Sequence, residues 1–155
     1  MNKTIKGLLE VWEHGRDMIL HFLTELSDDD LDKELPRKEL NTIRLQIDEV
    51  ARIQTDYINA ITTKKFNFDM EPIADTSKQG LTAKLKELDK QLKTALEGYD
   101  DNLQIDWFGD EMSIYMHLAA LIGHEQMHIG QIVAFCYATG IPVPNVVTEN
   151  MGLEG

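Results

Sequence analysis

The chain has 155 residues, enough for one domain with a sizeable hydrophobic core, and acidic residues outnumber basic ones 27 to 15, giving a formal net charge of −12. This balance disfavours nucleic acid and anionic membranes as partners, because both bind basic surfaces. No segment approaches the roughly 20 apolar residues that span a bilayer, and charge appears too early for a signal peptide. We therefore expect a cytoplasmic protein with one domain, residues 1–155.

Apolar residues recur every three or four positions, the helical period, in four segments of the chain. These predicted helices cover approximately residues 4–26, 42–61, 81–99 and 112–138. No segment alternates convincingly at period two, so the pattern predicts an all-α four-helix bundle with little or no sheet. The acidic run 28–34 is predicted to be a solvated, helix-capping loop, and the residues after Pro144 a tail without helical periodicity.

The last predicted helix carries the residues with the clearest chemistry. His124 and His128 are four positions apart, so a helix brings their side chains to one face within reach of one ion. His117 shares that face one layer away; it could be an additional ligand or support the ligands, but core packing is the favoured interpretation. Two structural histidines are the alternative, although buried imidazoles would each need two hydrogen-bond partners. The spacing favours a metal site.

The same residues also match the motif H-E-x-x-H, which in zinc peptidases supplies two ligands and a general base. In that interpretation Glu125 would be the base, and Glu149 would be a candidate third ligand. The longer motif with a third histidine is absent, and no strands are predicted that could align a peptide substrate. A metallopeptidase is therefore a minority hypothesis.

Several motifs, taken in order along the chain, resemble the DinB/YfiT-like superfamily. They are LSDDDL at 26–31, Pro36, NTIR at 41–44, Trp107 with Gly109, HEQMHIGQI at 124–132, and TGIP at 139–142. The resemblance implies a four-helix bundle, often a homodimer, with a divalent metal held by three histidines. Two of these correspond to His124 and His128, and the third belongs to the second helix.

Glu49 occupies the position where the resemblance places the third histidine, and the second helix contains no histidine at all. Two histidines and one carboxylate form a recognised metal-binding set that leaves coordination positions open. The resemblance thus implies a site of Glu49, His124 and His128 for Zn, Ni, Mn or Fe. The alternative is a surface glutamate beside Arg52.

Arg16 lies in the middle of the apolar face of the first helix, where a buried arginine needs an acidic partner. An ion pair within the bundle is one interpretation, with Glu49 as a candidate partner. Binding a carboxylate of a cofactor is the other. The resemblance implies a metal-dependent enzyme that uses a low-molecular-weight thiol on a small molecule, or a hydrolase. A non-catalytic binding or stress-associated bundle is the competing hypothesis, and no catalytic residue is assigned.

Overall fold

The computed structural model describes residues 1–153, which form six helices and three short strands. The helices are α1 Lys3–Glu25, α2 Asp28–Leu31, α3 Ile43–Thr63, α4 Lys78–Glu97, α5 Ile114–Thr139 and α6 Asn145–Met151. The strands are β1 Lys65–Phe66, β2 Gln104–Trp107 and β3 Asp110–Ser113. No helix among the described residues is long and apolar enough to cross a membrane.

The four long helices lie where the helical period predicted them. Each begins at a polar side chain that accepts a hydrogen bond from a backbone N–H of the first turn. The caps are Asn2, Thr42, Ser77 and Ser113. Helices α1 and α3 each pack against both α4 and α5, so that the apolar faces of all four meet in one core. The protein is therefore mostly helical.

The all-α prediction needs one correction, because a small three-stranded sheet accompanies the helices. Strand β1 pairs in parallel with β2, and β2 pairs antiparallel with β3. Phe108 and Gly109 form the two-residue turn between β2 and β3, both with positive φ, at 55° and 103°. Strands of two to four residues are too short to show an alternating pattern. The partners Lys65 and Asp106 are also far apart in sequence, so local patterns could not reveal their pairing.

The sheet packs against the start of α5 through aromatic contacts. Trp107 stacks on Phe66 with ring centroids 4.2 Å apart. Its indole N–H donates to Nδ1 of His117 at 3.1 Å, and His117 Nε2 lies 2.9 Å from the carbonyl of Tyr57. Burial lowers the pKa of His117 to about 4. His117 is thus a neutral core residue with a partner for each ring nitrogen, and its predicted core packing is confirmed.

Two predicted irregular segments contain short helices instead. Within the acidic run, Ser27 and Asp30 form a reciprocal capping box that starts α2, and Leu31 is fully buried beneath it. The tail after Pro144 contains α6, which packs against α1 and buries Val147. These helices of four and seven residues are too short for a helical period to be recognised.

Candidate metal centre

Helices α3 and α5 bring Glu49, His124 and His128 together. One candidate ligand atom from each residue lies within 4.8 Å of the other two. The two Nε2 atoms of the histidines are 3.2 Å apart, and His128 Nε2 is 4.0 Å from Oε2 of Glu49. His128 is fully buried, whereas His124 and Glu49 are partly exposed. The cluster therefore lies at the edge of the core.

Gln46, fully buried one turn before Glu49, orients the ring of His128. Its Nε2 lies 3.2 Å from the carbonyl oxygen of Leu40, and its Oε1 lies 2.7 Å from His128 Nδ1. A carbonyl only accepts hydrogen bonds, so the amide nitrogen must face Leu40 and the amide oxygen must face the histidine. His128 Nδ1 consequently carries the proton. The lone pair of Nε2 is directed toward His124 and Glu49, as a metal ligand requires.

Burial keeps both imidazoles of the cluster neutral. It lowers the pKa of His124, and it lowers the pKa of His128 to about 4, with smaller contributions from His124 and from the positive charge of Arg37. Burial also raises the pKa of Glu49, an effect that the charges of Arg52 and Arg37 partly offset. Neutral imidazoles are the protonation state that binds metals.

The cluster fits a divalent ion in both spacing and donor chemistry. An ion with ligand bonds of about 2.1 Å in tetrahedral geometry separates its ligand atoms by about 3.4 Å, close to the measured 3.2 and 4.0 Å. Glu49 Oε2 and His124 Nδ1 are buried without a hydrogen-bond partner, and the carboxylate faces neutral rings. A cation would neutralise this buried carboxylate. Two imidazole nitrogens and one carboxylate oxygen suit Zn, Fe, Ni or Mn.

Arg52, proposed above as a surface partner for Glu49, makes other contacts. Its guanidinium donates to the carbonyl of Met70 and lies 3.5 Å from a carboxylate oxygen of Asp48. Arg37 projects from the loop before α3, and its guanidinium lies over the ring of Phe135 at 6.0 Å. Within the described residues Arg37 has no salt bridge. It therefore adds an uncommitted positive charge near the cluster.

Arg16 belongs to a second buried cluster that joins all four long helices. Its Nη2 donates to Glu125 of α5 and, at 2.7 Å, to Oε1 of Gln54 of α3. Its Nη1 lies 3.5 Å from a carboxylate oxygen of Asp89 of α4. The buried ion pair predicted for Arg16 is present, but its partner is Glu125 rather than Glu49. Glu49 is therefore free to bind a metal, and cofactor binding by Arg16 stays a prediction.

Glu125, the general base in the peptidase interpretation, lies in the core. Its side chain is 1% exposed, and burial raises its pKa to about 7 even though Arg16 lowers it. It sits about 100° around the helix from His124 and binds Arg16. A zinc peptidase needs this glutamate beside the metal-bound water, so the geometry disfavours that hypothesis.

The fold and the cluster define a class of helical proteins with a candidate site of two histidines and one carboxylate between two long helices. The chain belongs to the DinB family, whose sequence model matches residues 1–151. A crystal structure of a DinB-like protein from Bacillus cereus ATCC 10987 is similar, with a TM-score of 0.69 and 25% identity over 93% of this chain and 98% of that one. None of the curated proteins matches the sequence.

Sequence reasoning missed two residues near the cluster, Gln46 and Arg37. Gln46 follows Thr42 by one helical turn and precedes Glu49 by three positions, so it shares their face of α3. A glutamine on the apolar stripe of a helix is a signal that could have been noticed, since buried amides need partners. Arg37 lies in a loop, and no local pattern indicates where its side chain points.

Proposed function

We propose that Glu49, His124 and His128 hold one divalent ion and that the protein is a metal-dependent enzyme acting on a small molecule. Thiol-dependent S-transfer is the favoured reaction, and hydrolysis is the neighbouring one. The observation that carries the proposal is the buried carboxylate oxygen of Glu49, which faces two neutral imidazoles and has no hydrogen-bond partner. Membership of the DinB family supports it, since the resemblance implies this kind of metal site.

Each residue of the candidate site has a distinct role in this proposal. His128 is held by Gln46 with its Nε2 lone pair directed toward the cluster, and His124 closes the site one turn earlier on α5. Glu49 reaches from α3 and supplies the negative charge. A bound divalent ion would lower the pKa of a thiol or a water molecule that reaches its open position. In S-transfer the thiol proton would pass to water, and the thiolate sulfur would bond to an electrophilic carbon whose leaving group departs with the bonding electrons.

Arg37 is the residue we propose for binding the carboxylate of a thiol cofactor or substrate. Arg16 was one candidate for this task from sequence, and its guanidinium is buried against Glu125 and Gln54. Arg37 is exposed, and its positive charge is one of the smaller contributions that lower the pKa of His128 and partly offset the raised pKa of Glu49, which supports its place near the cluster. An acidic chain with a positive charge beside the candidate centre suits a small anionic ligand.

Metal binding is tested first, by elemental analysis of protein purified without a histidine tag and by calorimetric titration with Zn²⁺, Ni²⁺ and Mn²⁺. His128→Ala should abolish binding, Glu49→Ala should weaken it, and Glu49→His should retain or tighten it. His14→Ala is the matched control, because His14 is exposed on α1. If the wild-type protein binds no ion with micromolar affinity or better, the metal site is degenerate and the non-catalytic hypothesis replaces this one.

Catalysis is tested with the metal-loaded protein, a low-molecular-weight thiol and an aryl halide, and separately with an activated ester. We expect the loaded protein to accelerate thiol conjugation and His128→Ala to lose the acceleration. Ester cleavage without conjugation would favour the hydrolase. Metal binding with neither activity would contradict the enzymatic proposal while leaving the metal site intact.

A further inference from the structure

Two phenylalanines beside the small sheet project into solvent. Phe68, two residues after β1, is 60% exposed, and Phe108, in the turn between β2 and β3, is 73% exposed. No other large apolar side chain among the described residues is as exposed as Phe108. An exposed phenylalanine forgoes the stabilisation that burial of its ring would give. The packing of this chain therefore does not account for the positions of these two rings.

The two exposed rings belong to one continuous group of aromatic side chains. The ring centroid of Phe66, a buried residue, is 6.4 Å from that of Phe68 and 6.0 Å from that of Phe108. Trp107 stacks on Phe66 and lies 6.4 Å from Phe108. These separations are typical of interacting aromatic pairs. We call these four residues the aromatic surface, and a contiguous exposed patch of this kind is typical of a site that contacts another molecule.

The backbone at Phe108 is also unusual for a phenylalanine. Its φ is 55°, and Gly109 follows with a φ of 103°. A two-residue hairpin turn of this kind favours asparagine, aspartate or glycine at its first position, because a bulky side chain is disfavoured at positive φ. Neither turn geometry nor burial favours a phenylalanine here. Its presence therefore indicates a contact with a molecule outside this chain.

The charged side chains around the aromatic surface are mainly acidic. Asp69 and Glu71 follow the first exposed ring in sequence, and Asp110 and Glu111 follow the second. All four side chains are exposed. Within residues 1–153, none of them forms a salt bridge. Their negative charges are therefore available to a partner.

Basic residues are scarce in the segments that form this surface. Residues 66–77 and 94–155 contain no lysine or arginine. Lys64 and Lys65 precede the aromatic surface in sequence, and Lys65 lies opposite Asp106 in the parallel ladder. The chain as a whole has a net charge of −12. Exposed rings among unbalanced acids are complementary to a partner that carries both apolar and positively charged side chains.

We propose that the aromatic surface binds a basic segment of another protein, in which arginine or lysine alternates with apolar side chains. The apolar side chains would pack on Phe68 and Phe108, and the cations would pair with the surrounding carboxylates. An arginine guanidinium also stacks favourably on an aromatic ring. Because four residues make a small surface and the ion pairs are exposed, we expect a weak complex that salt weakens further.

The aromatic surface is separate from the candidate metal centre. Trp107 donates a hydrogen bond to His117, which precedes His124 by seven residues, about 10 Å along the helix. The proposal therefore does not rest on a metal-dependent function. Variants of Phe108 should bind Zn²⁺ as tightly as the wild-type protein does.

Fluorescence anisotropy with labelled synthetic peptides tests binding. One peptide alternates arginine and leucine, and a second of equal length alternates glutamate and leucine. We expect the arginine peptide alone to bind, and more weakly at high salt. Phe108→Asn should lower its affinity at least about tenfold, whereas Tyr137→Asn, at a residue 60% exposed on α5, should not. Equal affinity for the two peptides, or wild-type affinity in Phe108→Asn, would overturn the proposal.

A stability measurement separates a binding role of Phe108 from a structural one. Asparagine adopts positive φ more readily than phenylalanine, so Phe108→Asn should not lower the free energy of unfolding. Urea denaturation of this variant and of the wild-type protein measures the difference. A clear loss of stability would show that the ring supports the fold, and would contradict the proposal.

A paired change of charge tests the complementarity. Asp110→Asn combined with Glu111→Gln should weaken binding of the arginine peptide about fivefold. Asp29→Asn combined with Glu34→Gln is the matched control, because it removes the same charge from exposed positions in the acidic run between α1 and α3. Equal weakening by the two pairs would mean that net charge alone attracts the peptide, and would overturn the proposed site.

Two other occupants are distinguished by sedimentation. Wild-type protein and Phe108→Asn are spun with vesicles of anionic phospholipid, and each is examined alone by analytical ultracentrifugation. We expect neither vesicle binding nor self-association to depend on Phe108. Vesicle binding that Phe108→Asn abolishes would assign the surface to a lipid, and self-association that it abolishes would assign it to a second copy. Either result would overturn the proposal of a basic protein partner.

Discussion

Two buried polar clusters, less than one helical turn apart on α5, differ in how their charges are balanced. In the first, Arg16 meets the carboxylates of Glu125 and Asp89, so opposite charges from three helices lie together. In the second, the carboxylate of Glu49 faces the neutral rings of His124 and His128. The first cluster contains its own cation, and the second does not.

The difference separates a structural cluster from a binding site. A buried carboxylate with a guanidinium beside it is neutralised by the fold itself, and removing either partner leaves an uncompensated charge in the core. A carboxylate that faces two neutral imidazoles has only the charges of Arg52 and Arg37 to offset its burial, and a bound cation would neutralise it directly. Glu125 therefore has a cation of the fold as its partner, whereas Glu49 does not.

Among the changes considered, removing the cation of the first cluster, Arg16, should lower the stability of the fold the most. Arg16→Met leaves Glu125 buried without its partner, and we expect a loss of about 3–5 kcal/mol in the free energy of unfolding, measured by urea denaturation at pH 7. Lys93→Met is the control, since it breaks an exposed ion pair with Glu13 and should cost no more than about 1 kcal/mol. Equal losses for the two variants would show that the buried pair is not a structural element.

Removing Gln46, which orients His128 in the second cluster, should lower the metal affinity rather than the stability of the fold. Gln46→Leu removes the acceptor that fixes the proton on His128 Nδ1. We expect metal affinity to fall by about 10–100-fold, the usual effect of removing such an orienting partner, in calorimetric titrations with Zn²⁺. Gln91→Leu, on the exposed surface of α4, is the control. Unchanged affinity in Gln46→Leu would mean that His128 needs no orienting residue.

In metal-free protein, the contributions of Glu125 and His128 to stability should change with pH in opposite directions. The pKa of Glu125 is raised to about 7, so its contribution to stability is complete below about pH 4.5 and is lost as pH rises through 7. The pKa of His128 is lowered to about 4, so its contribution is complete above about pH 6.5 and is lost as pH falls toward 4.

Between pH 5 and pH 7 each of these contributions changes by about 2 kcal/mol. On going from pH 7 to pH 5, the stability deficit of Glu125→Gln relative to wild type should grow, and that of His128→Asn should shrink. Urea denaturation at the two pH values, with a chelator present, measures both. Deficits that change in the same direction would contradict the opposite pKa shifts.

The long helices could be predicted from sequence because each carries its apolar residues at the helical period over twenty or more positions. The strands could not, since the pairing of Lys65 with Asp106 depends on contacts between distant segments. At the candidate site, the spacing of His124 and His128 on one helix was sufficient to predict their proximity.

Glu49 could be named through the family resemblance, because nothing local to α3 distinguishes it from a surface glutamate. The partner of Arg16 was predicted wrongly for a related reason. Helical angles place Glu125 at the edge of the histidine face, but they do not show that α1 and α5 pack closely enough to bury it. Contacts between helices decide both assignments, and such contacts are not encoded in the pattern of one helix.

The most direct test of the central claim is a matched change of one carboxylate in each cluster, Glu49→Gln and Glu125→Gln, followed by calorimetric titration with Zn²⁺. Each change removes one negative charge and keeps the size of the side chain. The account predicts that Glu49→Gln loses most of the metal affinity, while Glu125→Gln binds as tightly as wild type. Equal binding by Glu49→Gln and wild type, or loss of binding in Glu125→Gln alone, would contradict it.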